Sequence, residues 1–215
     1  LGSLQSGERV LVHAAAGGVG MAAVQLAQHW GVEVFGTASP GKWPALEAMG
    51  LAEDHIASSR DTDFADAFLA ATGGEGVDGV LNSLAGAFVD ASLRLHPRGG
   101  RFLEMGKTDI RDAAEVAEAH TGVAYQAFDL MEAGPARIGS MLSELGSLFE
   151  TGVLRPLPLS ATDLRYAPAA FKHMANARHV GKLVLVPPRT LEADGTVLVT
   201  GGLGERGQAL SRHLV

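Results

Sequence analysis

Two stretches of the chain bring together residue types that could do chemistry. His13-Ala14-Ala15-Ala16-Gly17-Gly18-Val19-Gly20 stands between an apolar run and a run with helical spacing. Free backbone amides and the positive end of a helix at such a turn can hold a pyrophosphate. Gly17, Gly18, Val19 and Gly20 are the candidate contacts. Ala15 replaces the first glycine of G-x-G-x-x-G, so a tight strand-to-helix turn without a ligand is the alternative. A dinucleotide site that reads the 2′-hydroxyl of NAD carries an Asp or Glu about 20 residues further on, at the end of the second strand. None is there, and Glu33 stands too early. Gly36-Thr37-Ala38-Ser39-Pro40-Gly41-Lys42 instead offers the Thr37 and Ser39 hydroxyls and the Lys42 ammonium, which suit a 2′-phosphate and favour NADPH. The alternative is a surface turn with a solvated lysine.

In an open parallel sheet, ligands bind beyond the carboxyl ends of the strands. That singles out Asn82-Ser83, Gly106-Lys107 and Asp129. Lys107 and Asp129 would end neighbouring strands, and a lysine held by a carboxylate can donate a proton or stabilise an anion. The same pairing keeps the lysine charged, and a rim salt bridge is the competing reading. His13 is read as a packed turn residue. His55, His96, His120, His173 and His179 lack metal-ligand spacing, so no metal site is expected. Ser58-Ser59 lacks a nucleophile elbow. Met141, Phe149 and Met174 stand at helical spacing with nearby leucines and are read as core.

The elements that must position these residues alternate. Strands are expected at Arg9 to Ala14, Val32 to Thr37, His55 to Ala57, Val77 to Asn82, Gly100 to Met105 and Gly122 to Phe128. Helices are expected at Val19 to His29, Trp43 to Met49, Asp63 to Ala71 and Gly86 to Leu95. This predicts an α/β fold, a Rossmann-type doubly wound parallel sheet with helices on both faces and strand order 3-2-1-4-5-6 over residues 1–130. Residues 131–187 then return through a helix from Pro135 to Glu150, a strand at Leu157 to Ser160, a helix at Pro168 to Ala177 and a strand at Lys182 to Val186. Residues 188–195 read as a linker, and 196–215 as the strand, glycine turn and helix of an unfinished domain.

Of the 215 residues, 47% are apolar and 19% charged, which fits a globular chain and excludes disorder. A formal net charge of −7 gives no electrostatic case for nucleic acid or an anionic membrane as partner. No cysteine is present, which excludes disulfides and thiol chemistry within these residues and fits a reducing cytoplasm. No membrane span or signal peptide is read, and the start at Leu1 suggests a piece of a longer chain.

Four runs carry a resemblance: Arg9 to Ala27, Val80-Leu-Asn-Ser-Leu84, Phe102-Leu-Glu-Met-Gly-Lys-Thr-Asp-Ile-Arg-Asp112 and Ala124-Tyr-Gln-Ala-Phe-Asp-Leu130. Together they resemble the enoylreductase domain of a bacterial modular polyketide synthase, in the zinc-independent medium-chain dehydrogenase/reductase superfamily, over about Leu4 to Pro187. The resemblance implies that NADPH delivers hydride to the β-carbon of an α,β-unsaturated thioester on an acyl carrier protein. It further implies that Gly17, Gly18 and Gly20 approach the pyrophosphate, that Ser39 and Lys42 meet the 2′-phosphate, and that Asn82 lies by the nicotinamide. It also implies that Lys107 and Asp129 are the candidate pair for α-carbon protonation or enolate stabilisation. Residues 131–187 would hold part of the substrate-binding domain. Thr200-Gly-Gly-Leu-Gly-Glu-Arg-Gly207 resembles the start of a ketoreductase, making neighbouring synthase domains the expected partners. A free-standing quinone or enone reductase, or a non-catalytic NADPH-binding scaffold, are the other readings.

Overall fold

The computed structural model describes residues 2–188, 196–201 and 203–214. Strands β1 (Arg9–Val12), β2 (Glu33–Ala38), β3 (Ile56–Ser58), β4 (Gly79–Asn82), β5 (Gly100–Glu104) and β6 (Val123–Ala127) form one sheet in the order β3-β2-β1-β4-β5-β6. Every adjacent pair is parallel, so all six carboxyl ends lie at one edge. The order reverses between β1 and β4, the kind of switch point beyond which ligands bind in open parallel sheets.

Side chains alternate along each strand, so the apolar runs feed two cores. Val10, Val12 and Val34 pack with Val24 and Ala27 of α1 (Gly18–His29) and Leu46 of α2 (Trp43–Glu47). Leu11, Phe35, Val80 and Phe102 pack on the other face. Their partners there are Phe64 and Phe68 of α3 (Phe64–Ala71), Val89 of α4 (Ala87–Leu93) and Val116 of α5 (Ala113–Ala119). Helix α5 was not among the expected elements. Asp112 starts it by accepting hydrogen bonds from the Ala114 and Glu115 amides at 2.8 and 3.0 Å.

The chain returns through α6 (Gly134–Glu150), β7 (Leu159–Asp163), α7 (Ala167–Ala175) and β8 (Lys182–Val186), the two strands pairing in parallel. The expectation that Met141, Phe149 and Met174 are core is corrected. Neither α6 nor α7 has a buried residue, and Phe149 and Met174 are about half exposed. Helical periodicity marks an apolar face without showing that anything covers it. At the tail, α8 (Glu205–Leu214) forms, but residues 196–199 make no strand. One expected strand has no neighbour to complete its hydrogen bonds. Most of the expected linker, 189–195, lies outside the described residues, as does Gly202 of the glycine turn.

Candidate active site

The turn after β1 is held open for an anion by backbone geometry. Ala14 adopts φ +49°, a conformation that costs a non-glycine residue roughly 1 to 2 kcal/mol. Its carbonyl accepts from the Gly17 amide at 2.8 Å. A Cβ on Gly20 would lie 2.5 Å from the Ala14 oxygen and 2.6 Å from the Ala15 Cα, so helix and turn meet without room for a side chain. The first turn of α1 has no side-chain cap and no acidic residue, which leaves its amides to solvent or a ligand. Val19 is exposed beside them.

Strand β8 supplies the second wall. Gly181 pairs with Gly17 and donates its amide to the Ala16 carbonyl at 3.0 Å. The next residue, Lys182, lays its side chain over Gly18, where a Cβ would sit 2.6 Å from Nζ. An ammonium at the positive end of a helix is unfavourable unless an anion lies between them. Sequence reading placed this strand in the returning segment and expected no cofactor contact from it.

Beyond β2, Ser39 is half-buried and Lys42 follows on a short 3-10 turn. Burial, and then the Arg60 guanidinium, pull the Lys42 ammonium below its ordinary pKa. Burial, then Lys42 and His173, do the same to His179. Lys42 thus feels the charge of Arg60, and His179 that of Lys42 and of His173, whose ring lies 6.3 Å away; among the described residues no carboxylate lies within 4.0 Å of Lys42 or Arg60. Arg60 was missed because only the β2–β3 pairing brings it beside Lys42. Glu33 lies at the opposite end of β2, bound to Arg9 at 2.9 Å.

Two expected contacts turn inward. Thr37 is fully buried, and its hydroxyl bonds His13 Nδ1 at 2.8 Å. Ser92 binds His13 Nε2 at 2.7 Å and donates its own proton to the Phe88 carbonyl. Nε2 must therefore carry the ring proton and Thr37 must donate to Nδ1. Burial pushes the His13 pKa down to about 3, so the ring braces the turn as a neutral group. Asn82 is also fully buried, its amide bonded to Glu104 and to the Leu84 backbone. Both side chains are engaged with internal partners, which strand alternation alone does not disclose.

At the far side the expected pair is present. Lys107 Nζ lies 3.3 Å from Asp129 Oδ2 and donates to the Phe128 carbonyl at 2.9 Å. The Met131 amide, and then Lys107, hold the Asp129 carboxyl below the usual carboxylate range. Both side chains are about half exposed, so the pair adds little to stability. The loop behind Lys107 is tied down by Arg111, which binds Asp109 at 2.7 Å and Asp90 at 2.9 Å. Asp109 in turn accepts from the Gly86 amide at 2.6 Å.

A parallel six-stranded sheet with this glycine turn and basic rim defines a nicotinamide-dependent reductase. The profile of a family described as zinc-binding dehydrogenase matches residues 51–185. A component of the pikromycin polyketide synthase, PikAII of Streptomyces venezuelae, is 64% identical over 215 residues, all of this chain and 6% of that protein. The enoyl reductase of CurK is 47% identical with a TM-score of 0.81, covering 87% of this chain and 57% of its own. A putative enoyl reductase domain of a polyketide synthase is 39% identical with a TM-score of 0.63, covering 73% of this chain and 89% of its own. The chain belongs to the zinc-binding dehydrogenase family, and within it to the enoylreductase domains of polyketide synthases. It spans only a small part of the large synthases it matches. Zinc in the family's description finds no matching donor set: among the described residues no group of three His, Cys, Asp or Glu could hold a metal ion. No described helix is long and apolar enough to cross a membrane.

Proposed function

We propose that this chain is the NADPH-binding part of an enoylreductase that reduces a 2-enoyl thioester carried on an acyl carrier protein during polyketide chain elongation in the cytoplasm. One observation carries the reading: the glycine turn, the basic cluster and the Lys107–Asp129 pair all lie beyond the carboxyl ends of one parallel sheet. In this reading the pyrophosphate rests on the amides of Gly18, Val19 and Gly20, with Gly17 leaving room for its approach. Lys182 closes over it from β8. Ser39, Lys42 and Arg60 surround the 2′-phosphate, and Gly106 approaches the nicotinamide half. NADPH supplies a hydride to the substrate β-carbon.

The protein's own groups then complete the reaction. Negative charge gathering on the thioester oxygen and α-carbon is met by the Lys107 ammonium, which Asp129 and the Phe128 carbonyl hold at the sheet edge. Lys107 gives up a proton to the α-carbon and, being half exposed, recovers one from water. Asp129 orients the ammonium, and water stands in for either residue with lower efficiency.

The domain division follows the same logic. Residues 1–130 bind the cofactor, 131–187 return toward the substrate side, and 196–215 begin a neighbouring ketoreductase, a reading supported by the Gly201 turn at φ +73° that leads into α8. Turnover of a crotonyl thioester by the full-length protein tests the function. Lys107→Ala and Asp129→Ala should each slow it by about 10² to 10⁴, less where water substitutes, with NADPH affinity nearly unchanged. Parent-rate reduction by both single variants and the double variant would return the pair to a structural role.

A further inference from the structure

We propose that Glu104 is a positioning residue for the reduction: a buried carboxylate that sets the Lys107 loop and the end of β4 against the cofactor crevice. The proposal rests on the reductase reading above. Glu104 ends β5 and is fully buried, an acidic residue two positions after the core side chain of Phe102 and so on the same face of the strand. Burying a carboxylate is costly unless donors meet it, and an apolar side chain of similar size would usually serve a core better. The two donors that meet this one lie at the carboxyl ends of β4 and β5. Oε1 accepts from the Gly106 amide, and Oε2 from the Asn82 amide group.

Each donor ties down a loop. Asn82 is the β4 residue paired with Glu104 in the sheet register, and its side chain also donates to the Leu84 carbonyl at 2.8 Å and accepts from the Leu84 amide at 3.2 Å. Gly106 immediately precedes Lys107. A Cβ at Gly106 would lie 2.6 Å from Glu104 Oε1, so the loop backbone reaches the carboxylate only because that residue is glycine. From there Lys107 spans to Phe128 and Asp129 beyond β6. One side chain inside the sheet thus links the ends of β4, β5 and β6 without itself touching the reacting atoms.

The test is Glu104→Gln in the full-length protein. It keeps the volume but presents an NH2 to one of the two donors. Crotonyl thioester reduction should lose at least tenfold in kcat while the NADPH dissociation constant stays within threefold. Without any cofactor, the Gly106 or Leu84 amide should exchange with deuterium at least tenfold faster, with β1 unchanged. Adding Asn82→Asp to Glu104→Gln restores a carboxylate–amide pair in reversed order and should recover at least threefold in kcat, which a loss of general packing would not allow. If Glu104→Gln fails to fold, Glu104→Asp, which draws the carboxylate back by one methylene from both the Gly106 and Asn82 donors, should show the same separation of kcat from cofactor affinity. Parent-rate turnover with unchanged exchange in whichever variant folds overturns the proposal. A parent protein that binds NADPH but reduces no enoyl thioester overturns the reductase reading, and the exchange data then judge Glu104 alone.

Discussion

Lys42 and Arg60, which follow β2 and β3, and Lys182, which lies over Gly18, are three cations from separate elements to which the proposed function gives different parts of the cofactor. With Lys42 and Arg60 on the 2′-phosphate as proposed, Lys42→Ala and Arg60→Ala should each weaken NADPH by about 1 to 3 kcal/mol and leave NADH nearly untouched. With Lys182 on the pyrophosphate, which both cofactors share, Lys182→Ala should weaken both alike. Fluorescence titration of the three variants with each cofactor separates the two patterns, and equal losses for NADPH and NADH at Lys42 would remove the 2′-phosphate assignment. Lys42 and Ser39 entered as candidates from the sequence because a missing carboxylate at the end of β2 is a local signal. Arg60 and Lys182 became candidates only in the fold, since the β2–β3 pairing and the Gly17–Gly181 bridge join segments far apart in the chain. The internal hydrogen bonds of Thr37 and Asn82 were not legible, because sequence spacing places a Cα and says nothing of which partners its side chain meets.

At the scale of elements, the turn into α1 makes its glycines unequal. The clash awaiting a side chain at Gly20 is with the backbone of Ala14 and Ala15, which cannot move without unmaking the turn. At Gly18 the clash is with the end of the Lys182 side chain, which can swing away. Gly20→Ala should therefore cost on the order of 2 to 4 kcal/mol in urea unfolding, and Gly18→Ala well under 1, while both weaken cofactor binding. Similar stability losses for the two would mean that the close approach at Gly20 is not rigid. The same logic explains which elements the sequence revealed. Strands β1 to β6 are short apolar runs separated by glycine turns, and their boundaries came within a few residues. Helix α5 escaped because its signal is the cap at Asp112, inside a run read for its resemblance; Asp112→Ala should lower stability by about 1 kcal/mol, measurable in the same unfolding assay. For α6 and α7 the period was right and the inference of burial was not.

Across the whole molecule, stability is concentrated in the six-stranded sheet, and two neutral histidines make it sensitive to acid. Burial pushes His13 to about 3 and His96 to about 4, against an ordinary value near 6.5. Above pH 6.5 the rings are neutral in both folded and unfolded chains and contribute no pH dependence. Between 6.5 and those depressed values the unfolded chain takes up protons that the folded chain refuses, so stability falls as pH falls. Each histidine contributes a slope of up to about 1.4 kcal/mol per pH unit, or about 3 kcal/mol by pH 4. Both rings lie beside the core built on Phe64 and Phe102, His13 edge-on to the first and His96 to the second, so protonating either charges that core directly. The urea midpoint should decline steadily from pH 7 to pH 4.5, and neither imidazole should titrate by NMR in the folded protein above pH 5. A ring that titrates near 6.5 while the fold persists would show that its site is open to water. The β7–α7–β8 unit, in which no element residue is buried, should meanwhile exchange its amides well before β1 and β4 at any pH, because it opens without exposing a core.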